Sequence, residues 1–234
     1  MAKTRTAYVC SNCGQESTKW IGKCPSCGQW NTFKEINLGP SSSSATGSSD
    51  GLFRHDRATS SKSRPIKLRD IPTQDDPRID MHDDELNRVL GGGLVAGSIV
   101  LLGGEPGIGK STLTLQTILN MADKRILYVS GEESAHQLKM RAERLLTGKE
   151  ADAMQALDNV NILCETSLQR IFEYAEEINP EIMVIDSIQT IATEEVDSSP
   201  GSITQVRECA AALLRFAKTS GTPVILIGHI NKEG

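Results

Sequence analysis

The sequence predicts an α/β protein: a parallel sheet covered by helices on both faces, carrying a phosphate-binding loop, with a small four-cysteine module ahead of it. Three observations lead there. From about residue 66 onward, short and near-continuous apolar runs alternate with segments of helical periodicity. The string Gly104-Glu105-Pro106-Gly107-Ile108-Gly109-Lys110-Ser111 fits GxxxxGK[ST] between one such run and one such helix. Two CxxC pairs, Cys10/Cys13 and Cys24/Cys27, stand ten residues apart near the N-terminus.

The elements follow in order. Strands are expected over 98–103, 125–130, 160–163, 182–185 and 224–227, each a short apolar run bounded by polar residues or glycine. Helices are expected between them. The first, 108–121, places Leu113, Thr117 and Ile118 on one face, and the second, 133–146, repeats Leu138, Ala142 and Leu145. The third, 167–178, has Ser167 as its N-cap. The last, 203–218, carries Ile203, Val206, Ala210, Leu213 and Ala217 in register. A sheet of this kind is expected to continue past Gly234.

Composition divides the chain into three: a zinc-binding module over 1–38, a flexible Ser/Gly-rich linker over 39–65, and an ATPase core over 66–234, truncated at its C-terminal side. Hydrophobic residues make up 38% and charged residues 24%, as in globular proteins that stay in solution. No apolar run approaches the roughly 20 residues of a membrane-spanning helix. The basic N-terminus is not followed by an apolar stretch, so it does not read as a secretory signal, and a cytoplasmic location is expected. Residues 1–71 hold 11 Lys/Arg against 5 Asp/Glu, whereas 72–234 hold 14 against 25. The basic arm suits a polyanion, or is a solvated tail with incidental charge. Cys164 and Cys209, each isolated, read as small reduced core residues.

The loop's chemistry explains its residues. Gly104, Gly107 and Gly109 let backbone N–H groups face phosphate oxygens without a side-chain clash. Glu105, Pro106 and Ile108 fill the variable positions, and the helix that follows points its positive end at the same anion. Lys110 reaches the terminal phosphates of ATP, and Ser111, with Thr112 beside it, offers a hydroxyl to Mg²⁺. Asp186 ends an apolar strand where a carboxylate can orient a Mg²⁺-bound water. Glu132 is the first choice for the group that positions the attacking water, and Glu133 the alternative, or merely the acidic first turn of the next helix. His229 ends the last strand on the same edge, as a γ-phosphate sensor or a simple loop residue.

Cys10, Cys13, Cys24 and Cys27 can wrap a tetrahedral Zn²⁺ with four thiolates, leaving no open coordination position, so the metal is structural. Gly14 and Gly28 follow each pair and relieve the tight turns. A disulfide framework is the competing reading, disfavoured where no secretory signal is present. Trp20, Trp30, Lys19 and Lys23 flank the site. They can contact single-stranded bases and phosphates, or the tryptophans can cover the module's small core; the core role is the expectation for Trp30, and Trp20 is left open.

These residues together resemble the RadA (Sms) family of bacterial DNA repair proteins. The resemblance is carried by Lys19-Trp20-x-Gly22-x-Cys24-Pro25-x-Cys27, Leu86-Asn87-Arg88-Val89-Leu90-Gly91-Gly92-Gly93-Leu94, the phosphate loop through Thr112, Val129-Ser130-Gly131-Glu132-Glu133-Ser134, Ile185-Asp186-Ser187-Ile188-Gln189-Thr190, and Ser199-Pro200-Gly201-Ser202 leading into Gln205-Val206-Arg207-Glu208. It covers nearly the whole chain outside the serine-rich stretch. It implies a RecA-like ATPase that works as an ATP-dependent DNA helicase and branch-migration motor. The implied partners are single-stranded and branched DNA and the RecA recombinase, and the implied assembly is a homo-hexamer. Residues 194–205 resemble the first DNA-facing loop of the RecA fold, although Glu194, Glu195 and Asp197 are a poor match to phosphate. The second DNA-facing loop, the Lys-Asn-Arg-Phe-Gly motif and the Lon-like domain of that family are not present in these 234 residues. The competing function is a nucleotide-gated interaction protein of the RecA and clock-protein class, whose zinc module docks a protein partner.

Overall fold

The computed structural model describes residues 5–10, 15–38, 65–71, 77–121, 123–148 and 150–229. Cys13, Gly14 and the serine-rich stretch up to residue 64 lie outside the described residues.

The first unit is a three-stranded antiparallel sheet. Strands β1 (Arg5–Cys10), β2 (Glu16–Ser17) and β3 (Phe33–Leu38) pair in the order β2-β1-β3. Its core is small: Cys10, Cys24 and Phe33 are buried, with Tyr8 and Cys27 packed against them. Trp30 does not cover that core. It is 68% exposed, and Trp20 is 54% exposed.

Ahead of the main sheet lie a short hairpin, β4 (Arg78–Ile79) with β5 (Leu94–Val95), and helix α1 (Asp84–Val89) between its strands. The carboxylate of Asp83 caps α1 by accepting from the Leu86 amide.

The main sheet is wholly parallel. Its strands are β6 (Ile99–Gly104), β7 (Ile126–Ser130), β8 (Val160–Cys164), β9 (Ile182–Asp186) and β10 (Val224–His229), in the order β6-β10-β9-β7-β8. Alternate residues of the central strands point to opposite faces. Ile126, Tyr128, Ile182, Val184, Ile225 and Ile227 pack under helices α2 (Lys110–Leu119), α3 (Ala135–Leu146) and α4 (Glu150–Asn159). Leu127, Val129, Met183, Ile185, Val224 and Leu226 pack under α5 (Leu168–Ile178) and α6 (Ile203–Ser220). Burial on both faces explains why these strands read as continuous apolar runs.

Several expectations need correction. Leu113 does not belong to the inner face of α2; it is 37% exposed, and the buried positions are Lys110, Thr114, Leu115, Thr117, Ile118 and Leu119. Ile203 begins α6 but is exposed, whereas Cys209 joins its buried stripe. Cys164 is exposed rather than a core residue, because β8 is an edge strand and Cys164 ends it. Ser167 stands at the N-cap of α5 but makes no capping bond there. Helix α4 has no counterpart in the periodicity reading. No helix among the described residues is long and apolar enough to cross a membrane.

Candidate nucleotide site and cysteine cluster

Parallel strands deliver their C-terminal ends to one edge of a sheet, where ligands of such folds bind. Here the register aligns four chain ends: Gly104 lies opposite His229, Ile227 opposite Asp186, and Ser130 opposite Asp186. The loop after β6 and the start of α2 face the turn after β7, Arg141 of α3 and the last residue of β10 across a cleft of about 390 Å³. Pro106, Gly107, Gly109, Lys110, Ser111, Thr112, Glu132, Glu133, Arg141 and His229 line it.

The loop is shaped by two glycines. Gly107 and Gly109 adopt φ of +79° and +94°, which side chains disfavour, and both face open space where a Cβ would stand. Gly109 is the N-cap of α2. No side chain caps that helix, whereas in α3 Ser134 and Gln137 form a capping box, and the first turn of α2 carries no acid. The positive end of α2 therefore faces the cleft without an internal counter-charge. Gly104, Glu105, Pro106 and Ile108 complete the loop, with Ile108 62% exposed.

Lys110 is only 6% exposed. Its ammonium donates to the carbonyls of Gly104, at 2.8 Å, and Glu105, at 2.7 Å, and lies 3.2 Å from His229 Nδ1. An ammonium can only donate, so Nδ1 accepts and the ring proton sits on Nε2. That nitrogen is 3.4 Å from Glu132 Oε1, and the same oxygen accepts from the Ser187 hydroxyl at 2.7 Å. Glu132 is thus braced from β9 and β10 together.

Glu133 has a different partner. Its Oε1 is 2.6 Å from Arg141 Nη2, an ion pair between the turn after β7 and the flank of α3 that lines the cleft. Arg141 Nη1 is buried and has no partner among the described residues. The path of the turn is fixed by Gly131, whose amide donates to the Asp186 carbonyl at 2.9 Å. A Cβ on Gly131 would stand 1.9 Å from Thr190 Oγ1, so only glycine fits.

Asp186 is 7% exposed and accepts from the hydroxyl of Tyr128 at 2.5 Å. Tyr128 is fully buried in β7. Burial, and then the charge of Asp186, push its phenol far above the ordinary range, so it stays a donor. Sequence reasoning missed Tyr128 and Arg141. Each meets its partner only through the order of strands β7 and β9 or the turn into α3. Gln205 was passed over as well: 2% exposed, it joins Thr193, Val196 and Ser198 by four hydrogen bonds and fixes the loop before α6.

The chemistry of the donor set fits Mg²⁺ and a polyphosphate. Ser111 and Asp186 supply hard oxygens, and Lys110 with the α2 terminus supplies positive charge. In the small N-terminal unit, the sulfurs of Cys10, Cys24 and Cys27 lie within 4.8 Å of one another, as a tetrahedral thiolate site requires. The amide of Cys10 donates to Gln15 O and that of Cys24 to Gln29 O, both at 2.9 Å, so the two turns close alike. Thr32 Oγ1 is 3.1 Å from Cys10 Sγ. Cys13, the fourth sulfur expected from the sequence, lies outside the described residues.

Known proteins share both units. Residues 62–234 match the family model described as AAA domain, and residues 8–35 match that described as rubredoxin metal binding domain. DNA repair protein RadA of Bacillus subtilis (strain 168) is 45% identical over 238 residues, covering 100% of this chain and 48% of that protein. DNA repair protein RadA of Escherichia coli (strain K12) is 44% identical over 241 residues, covering 100% and 49%. The chain thus spans about half the length of the curated relatives it matches. Among solved structures, a KaiC-like protein of the archaeon Pyrococcus horikoshii OT3 superposes with a TM-score of 0.52 at 26% identity, covering 66% of this chain and 71% of that one. A parallel sheet with the phosphate loop after β6, a cysteine cluster ahead of it, and this set of relatives lead to one conclusion: the chain belongs to the AAA-domain family, on the RecA-like fold, alongside the RadA DNA repair proteins.

Proposed function

We propose that this chain binds and hydrolyses ATP as the engine of a DNA helicase and branch-migration motor in DNA repair. The observation that carries the reading is the convergence of Lys110, Ser111, Glu132 and His229 on one cleft at the C-terminal edge of the sheet, the edge at which β9 ends in Asp186.

The residues divide the work by their surroundings. The loop 104–111 and the start of α2 grip the terminal phosphates, and Lys110 gives up its carbonyl partners to neutralise them. Ser111 and Asp186 hold Mg²⁺, which supplies charge neutralisation when bound. Glu132 accepts a proton from the attacking water. Glu133 is left out of that role because Arg141 engages its carboxylate. His229, set between Lys110 and Glu132, joins the phosphate-reading lysine to the base and acts as the sensor. Four thiolates, from Cys10, Cys13, Cys24 and Cys27, hold a structural Zn²⁺ in the module 1–38, with 39–65 as a tether and 66–234 as the core. Metal-bound thiolates of this kind, not paired as disulfides, suit the reducing cytoplasm.

The resemblance to the RadA family supports single-stranded and branched DNA as the track, the RecA recombinase as a partner and a homo-hexamer as the working assembly. The test is ATP hydrolysis in magnesium buffer with and without single-stranded DNA, on these 234 residues and on a chain of the relatives' full length. DNA stimulation of the longer chain is expected. Calorimetry that detects no uptake of ATP by folded protein would remove the engine. Hydrolysis indifferent to every DNA would turn the reading toward a nucleotide-gated protein-docking ATPase.

A further inference from the structure

Outside the nucleotide cleft, the feature with most unexplained surface is on the cysteine unit. Trp20 and Trp30 are the only two tryptophans of the chain, and both are exposed, as is Ile21 next to Trp20. The unit's core is made without them. Large apolar rings left in water mark a surface that meets something.

Their arrangement narrows what that is. Gly22 lies between the two indoles, and a side chain there would come within 3.8 Å of the six-membered rings of both Trp20 and Trp30. With only hydrogen at Gly22 the spot is open, bordered by two aromatic rings. The backbone around it is fixed, since Lys23 bridges Trp30 and the Asn31 amide donates to Gly22 O at 2.7 Å. The ammonium of Lys23 lies 5.6 Å from the centroid of the Trp30 ring, a cation–π contact. Lys19 adjoins Trp20. Residues 1–38 carry 5 Lys/Arg against 2 Asp/Glu. A flat, neutral ring is the natural partner of two exposed indoles, and a chain of negative charge suits the lysines.

We infer that Trp20, Gly22 and Trp30, flanked by Lys19 and Lys23, form a stacking site for the bases of single-stranded nucleic acid. Aromatic faces take any base without reading its edge, while the ammonium groups follow the phosphates. The inference rests on the DNA reading proposed above and places one point of contact on the metal unit rather than on the ATPase sheet.

Because no other tryptophan is present, emission excited selectively at the indole, beyond the absorption of the three tyrosines, reports on this site alone. The zinc-loaded chain is titrated with oligothymidylate, while a fluorescein-labelled copy of the oligomer gives binding by anisotropy. Fluorescence quenching that tracks the anisotropy is expected, and added salt should weaken both. Trp20→Ala and Trp30→Ala should each weaken binding about tenfold. Gly22→Val should do so while both indoles remain. Zinc content and uptake of a fluorescent ATP analogue, unchanged in all three, show that folding is kept. Anisotropy without quenching overturns this site while leaving the DNA motor intact. Neither signal, at low salt, overturns both. Equal quenching by an abasic oligomer overturns base stacking. An unaltered affinity in Gly22→Val also overturns it.

Discussion

Tyr128 donates its hydroxyl to Asp186 Oδ2 across the boundary between strands β7 and β9. Tyr128 pairs in register with Val184, so the phenol reaches forward past one residue pair to meet the carboxylate at the strand's end. One carboxylate oxygen is thereby engaged and the group's rotation is stopped. Outer partners of this kind tune metal affinity by about 10- to 100-fold. Tyr128→Phe keeps the packing and removes only the donor. We expect the magnesium concentration needed for half-maximal nucleotide binding to rise by about tenfold, with the thermal midpoint only slightly lowered. An unchanged magnesium titration would show that Asp186 needs no such help.

The two glutamates after β7 are separable. Glu132→Gln should retain ATP binding and lower turnover by roughly 10²- to 10⁴-fold. Glu133→Gln should keep most of the turnover, and Arg141→Ala should resemble it, because both remove the same ion pair. Single-turnover hydrolysis decides between them. A larger loss in Glu133→Gln would reverse the assignment.

Lys110→Ala removes the buried ammonium of the phosphate loop. Hydrolysis should fall below detection, and ATP affinity should fall with it, as measured by calorimetry in magnesium buffer. His229→Ala frees both Lys110 and Glu132 from their shared neighbour. It should slow turnover more than it weakens ADP binding, because ADP lacks the terminal phosphate that the sensor would report.

Cys27→Ala should release one zinc per chain, measured with a colorimetric chelator, and unfold the small sheet, against whose core Cys27 packs. ATP uptake should persist. Retention of stoichiometric zinc would contradict a four-thiolate site.

The two remaining thiols should differ sharply. Burial, and then the charge of Glu208, push Cys209 up to about 11 from its ordinary 9.0. A raised folded value means the neutral thiol stabilises the fold below about pH 9, and that this contribution is lost as pH climbs toward the folded value. In zinc-loaded protein at pH 8, a maleimide should label exposed Cys164 and spare Cys209, as read by mass spectrometry.

How much of this the sequence disclosed depends on the range of the interaction. The phosphate loop, the strand ending in Asp186 and the cysteine pairs are local patterns, so adjacent residues reveal them. Tyr128 with Asp186 and Glu133 with Arg141 depend on which strands adjoin and on which flank of α3 faces the cleft, and periodicity carries neither. Cys164 was misjudged for the same reason, since an apolar run does not say whether its strand is central or at the edge. Trp30 was misjudged because a unit with so few core residues has no room to enclose an indole. Helix α4 escaped notice because its alanines mark no apolar stripe.

The contact between Gly131 and Thr190 leaves no slack. The turn after β9 presses on the backbone just ahead of Glu132, and Ser187 of that turn also grips the Glu132 carboxylate. A displacement of the segment running from Thr190 toward Gln205 would therefore be felt at Glu132 as by a lever on its fulcrum. Gly131→Ala should jam that lever, leaving a protein that still holds ATP but no longer times its breakage.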